Sequence, residues 1–112
     1  MTEAHTESLI AAFSESLWLE SGLSDRSRLS YESDLRQFSR WLNDRPVSTG
    51  ITDVDRACLM EFLAAVLASG AKASTAARRL SSLRRFYRYL FREGLIREDP
   101  SLKLDNPRLT RT

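Results

Sequence analysis

The sequence predicts an all-α protein, a compact four-helix bundle. Three observations carry that expectation. Apolar residues recur at helical spacing in four stretches, and the breaks between them are short and rich in glycine, proline and serine. No stretch of useful length alternates apolar and polar residues as a strand would, and no internal repeat is present. A chain of 112 residues can bury a real core without staples.

The first helix is read from Leu9, Ile10, Phe13 and Leu17 and ends near Ser21 and Gly22, where a glycine suits the left-handed position past a helix end. Ser24 or Asp25 then caps a second helix carrying Tyr31, Leu35, Phe38 and Leu42 on one stripe, with Trp41 beside it. Arg45-Pro46 closes it, since the residue before proline disfavours helical geometry. Leu29 points away from that stripe, toward the surface.

Thr52, followed three residues later by Asp55, resembles a capping box for the third helix. That helix buries Leu59, Phe62, Leu63, Val66 and Cys58 and ends at Ser69 and Gly70. The fourth begins near Ser74 and ends at Glu93 and Gly94. Its apolar stripe of Ala76, Leu80, Leu83, Tyr87, Leu90 and Phe91 falls within a sector of about 100°. Phe86 and Tyr89 flank it, and core packing is expected of them. Pro100 and Pro107 lie in a polar tail that reads as a linker, so residues 1–99 form the expected domain and residues 100–112 the expected linker.

Composition excludes several classes. One cysteine and one histidine cannot supply a zinc site or an internal disulfide. No metal, cofactor or small-molecule ligand is expected. No apolar run approaches the ~20 residues that cross a bilayer. The N-terminus is acidic where a secretory signal would be basic, so a cytoplasmic location is expected.

The net charge of +2 hides a strong partition. Residues 1–71 hold 6 Lys/Arg against 11 Asp/Glu, residues 72–92 hold 7 against none, and residues 93–112 hold 4 against 4. Such a split points to a polyanionic partner.

On a helical wheel the charge of the fourth helix falls opposite its apolar stripe. Ser74, Arg78, Ser81, Arg85, Arg88 and Arg92 form that face, Ser82 lies beside them, and Arg79 and Arg84 sit on its flanks. Small serines let a helix approach a groove wall while arginines reach phosphates or guanine edges. No carboxylate within the helix relieves the repulsion among these arginines. The bland alternative is a solvated face whose arginines pair with acids on other helices, such as Asp34, Asp53, Asp55 and Glu61. A second cluster, Arg26, Ser27, Arg28 and Ser30, crowds the start of the second helix, where cations oppose the helix dipole and free N–H groups suit phosphate. Capping by Ser24 is the bland account there.

The segments "LWLESGLSDRSRLSYESDLRQFSRWL", "KASTAARRLSSLRRFYRYLFREGLIREDPS" and "NPRL" resemble the N-terminal, SAM-like core-binding domain of tyrosine recombinases of the Xer type. The likeness runs from about Leu9 to Leu109. Its most specific part is the pattern S-x-x-R-R-L-S-x-L-R-x-F-Y-x-Y-L in the fourth helix. The resemblance implies one half of a clamp around double-stranded DNA, with the second and fourth helices toward the major groove. It implies contacts from Arg26, Ser27 and Arg28, and from Lys72, Ser74, Thr75, Arg78, Arg79, Ser82 and Arg85. The wheel turns Ser74, Arg78, Ser82 and Arg85 outward as well; Thr75 and Arg79 rest on the resemblance.

The resemblance also implies recombinase protomers as partners, a role in chromosome-dimer resolution or DNA integration, and chemistry through a phosphotyrosine without metal or high-energy cofactor. That chemistry belongs to a C-terminal domain. Tyr31, Tyr87 and Tyr89 fall in the bundle pattern, so no strand cleavage is expected of this chain alone. The rival expectation is a helical protein-interaction module whose basic face docks on an acidic partner.

Overall fold

The structure, a computed structural model, describes residues 3–47, 49–102 and 104. The described residues form four helices and no strand: α1 (Glu3–Ser21), α2 (Asp25–Asn43), α3 (Arg56–Ala68) and α4 (Ala73–Arg92). The all-α expectation holds, and the ends of α1, α2, α3 and α4 and the starts of α2 and α4 lie within a residue or two of their expected places. Contacts divide the chain into two units, Met1–Ile51 with α1 and α2, and Thr52–Thr112 with α3 and α4.

In the first unit α1 buries Leu9, Ile10, Phe13 and Leu17, and α2 buries Leu35, Phe38 and Leu42. Gly22, at φ +64°, takes the left-handed turn that ends α1, and the Leu23 N–H donates back to the Leu17 carbonyl at 3.3 Å. Phe13 meets Tyr31 edge to face at 6.2 Å. Ser24 caps α2, its side chain accepting from the Ser27 N–H at 3.2 Å.

The second unit buries Cys58, Leu59, Phe62, Leu63 and Val66 from α3, and Ala76, Leu80, Leu83, Phe86, Tyr87 and Leu90 from α4. Asp55 is the cap of α3, accepting from the Cys58 N–H at 2.8 Å, so the cap expected of Thr52 falls to Asp55 instead.

One expectation for α4 needs correction. Phe91 is 51 % exposed, while Ser82 is 2 % exposed and Phe86 fully buried. A single rotation accounts for all three. At 100° per residue the buried arc is centred about 40° from the expected stripe, toward Phe86 and Ser82 and away from Phe91.

The start of the expected linker is packed. Ser101 and Leu104 are buried. The Asp99 carboxylate accepts from the Ser101 N–H at 2.9 Å and its hydroxyl at 2.6 Å. Arg84 of α4 donates to the Leu104 carbonyl. Residues 105–112, with the "NPRL" match, lie outside the described residues.

Candidate nucleic-acid interface

The two clusters that the sequence singles out fall at the starts of α2 and α4, one in each unit. They differ in how the chain treats its own free N–H groups. Ser24 caps α2 and Asp55 caps α3 with a side-chain oxygen; α4 begins at Lys72, which gives no side-chain cap, and its first turn holds no acid. The positive end of the α4 dipole and a lysine thus share one place, an arrangement that costs the free helix stability and suits an anion.

Along α4, Lys72, Ser74, Arg78, Ser81 and Arg88 are exposed. Thr75, Arg79 and Arg85 are half-buried. Arg78 and Arg85 each also make an interaction within the chain. Ser82 is the correction at the site: the rotated arc takes it inside, so it cannot present its hydroxyl outward as the wheel had placed it. Arg79 falls inside that same arc, between Phe86 and Leu90 on the wheel, and so does not share the outward face either. Its Nε is shielded from solvent and has no hydrogen-bond partner, a state that costs about 1–3 kcal/mol for a buried donor. Ser81 and Arg88 share the exposed face, and the wheel carried the signal for both.

At the start of α2 the three expected contacts separate. Arg26 is exposed and Ser27 half-buried, with the Ser27 hydroxyl 3.3 Å from that of Ser24. Arg28 turns toward α1. Its Nε donates to the buried Ser14 hydroxyl at 3.2 Å, and its Nη1 lies 3.3 Å from Asp25. Ser14 in turn donates to Glu32 at 2.5 Å. Further along, Arg36 grips Glu7 with two bonds of 3.0 Å, and that carboxylate raises the Arg36 pKa. Arg36 therefore neutralises carboxylates along the α1–α2 seam, Arg28 is tied to the Ser14 hydroxyl and to Asp25, and Arg26 remains as the outward cation of the cluster.

A cleft of about 870 Å³ lies in the second unit, away from the α4 start, lined among others by Val54, Arg56, Arg88, Phe91 and Ile96. It holds acids as well as arginines. Among the described residues no group of His, Cys, Asp or Glu could hold a metal ion, and no helix is long and apolar enough to cross a membrane.

Four helices with a cationic, serine-spaced face on the last make a small all-α domain with a polyanion-suited surface. The family model described as "Phage integrase, N-terminal SAM-like domain" matches residues 10–94, and the chain belongs to that family. Among curated proteins it is similar to the tyrosine recombinase XerD of Pseudomonas aeruginosa, with 46 % identity over 101 residues, 90 % of this chain and 33 % of that protein. It is similar also to XerD of Pseudomonas putida (48 % over 101 residues; 90 % and 33 %) and of Rhizobium meliloti (41 % over 103 residues; 92 % and 32 %). The chain spans about a third of the length of the curated relatives it matches. No solved structure matches it.

Proposed function

We propose that the chain is the DNA-binding N-terminal domain of a site-specific tyrosine recombinase of the XerD kind, one half of a clamp on duplex DNA. The observation that carries this reading is the outward side of α4. Lys72, Ser74, Arg78, Ser81 and Arg88 are exposed there, the helix contains no carboxylate, and its first N–H groups lack a side-chain cap. Phosphates supply the missing negative charge and the missing acceptors together. In the first unit, Arg26 of α2 is an outward cation that suits a phosphate.

Strand cleavage, the pairing of recombinase protomers and a role in resolving chromosome dimers or integrating DNA belong in this reading to the longer protein. Within this chain Tyr87 is no candidate nucleophile, because burial holds its phenol neutral and out of reach. The test is a titration of fluorescent duplex DNA across a salt series. Binding should weaken linearly in log–log form, with a slope of ~0.9 per phosphate neutralised. A chain that ignores duplex DNA at low ionic strength overturns the proposal.

A further inference from the structure

We infer that Leu29 reads sequence: its side chain, on the outward face of α2, packs against the 5-methyl group of thymine in the major groove. The inference rests on the DNA-binding reading and adds to it a specificity-determining contact.

Leu29 is 61 % exposed and is the one large apolar side chain exposed on α2 among the described residues. At 100° per residue, Arg26, Ser33 and Arg40 lie within about 60° of it on the wheel, and all three are exposed. The carboxylates nearest on that helix are already engaged. Asp25 is paired with Arg28 at 3.3 Å, and Glu32 with Arg36 at 3.5 Å and with the Ser14 hydroxyl. What the face offers a partner is the cations Arg26, Arg36 and Arg40 with the paired Asp25 among them, a small hydroxyl residue at position 33 with Ser30 to its side, and a single branched apolar group.

That combination fits one kind of surface. A protein partner that buries leucine does so within a contiguous apolar patch, and α2 has none around Leu29. A duplex gives Arg26 a phosphate, leaves room beside the serines, and presents one apolar group on its major-groove base edges, the thymine methyl. Arg28 is held by Ser14 of α1 and by Asp25.

The test uses the chain as it stands and duplexes selected from a pool with a randomised centre. Deoxyuridine, which lacks only the 5-methyl group, then replaces each selected thymine singly. At one position or more the chain should bind the uracil duplex about fourfold more weakly, the contribution of one buried methyl-sized group. Leu29→Ala should bind both duplexes alike, Leu29→Met should keep the discrimination, and Arg26→Ala should weaken both equally. Helix content by circular dichroism should be the same in all. Equal affinity of the chain for thymine and uracil duplexes, or full discrimination retained by Leu29→Ala, overturns the inference and leaves the DNA-binding reading standing. Failure to bind any duplex at low salt overturns both.

Discussion

The Nε of Arg28 donates at 3.2 Å to the hydroxyl of Ser14, so a cation at the start of α2 is spent on α1 rather than offered to solvent. Arg26, two residues earlier, has no such tie among the described residues. The two arginines should therefore part company when replaced. Arg28→Ala should destabilise the fold by about 1–2 kcal/mol through loss of a charged hydrogen bond at a part-buried site. Arg26→Ala should leave the urea midpoint within error and weaken every duplex. Paired melts and anisotropy titrations check both halves.

The open start of α4 sets stability against binding. Lys72→Asp supplies a capping oxygen and a charge that suits the helix dipole, so it should raise stability by about 0.5–1 kcal/mol. The same change should reduce duplex affinity and lower the salt slope by about one. A variant that gained affinity along with stability would remove Lys72 from the interface.

The rotated arc of α4 can be tested from its two edges. Leu83 is 1 % exposed and its replacement by Ala should cost about 2–5 kcal/mol. Phe91, although equally apolar in sequence, is half exposed, and Phe91→Ala should cost no more than about 0.5 kcal/mol. Denaturant midpoints of the two variants, measured side by side, read the difference directly.

Alkaline unfolding should report on Tyr87. Burial, reinforced by Cys58 and Asp99, holds its phenol well above the ordinary tyrosine value. The folded chain keeps a proton that the unfolded chain releases near pH ~10, so this contribution is complete below that point and lost as pH climbs toward the folded value. Tyr87→Phe should flatten the fall in urea midpoint between about pH 9 and about pH 11.

Much of this was legible in residue spacing. The stripes on α1, α2 and α3 are regular, and Ser24 stands where a cap should stand. Leu29 reads as outward because it falls opposite Tyr31, Leu35, Phe38 and Leu42. The wheel goes wrong where one helix cannot know its surroundings. Phe91 and Phe86 lie on opposite flanks of one stripe, and only the packing decides which flank is covered; with Phe86 inside, Ser82 follows it and Phe91 is left out. Arg28 shows a second limit. Its charge is plain in the sequence, but its partner Ser14 is fourteen residues away on another helix, and no local pattern announces that bond. At residues 52–55 the capping signal is real and its register is off: Asp55 is the cap and bonds the Cys58 N–H, three residues beyond the N–H that Thr52 was expected to reach.

The bond from Arg84 to the Leu104 carbonyl, with the Asp99–Ser101 turn just before it, fastens the chain to α4 after that helix has ended. A polypeptide leaving that point starts from a fixed origin, as a door hangs from its frame. Cutting Arg84 back to alanine would release Leu104 from that helix without touching a single outward cation.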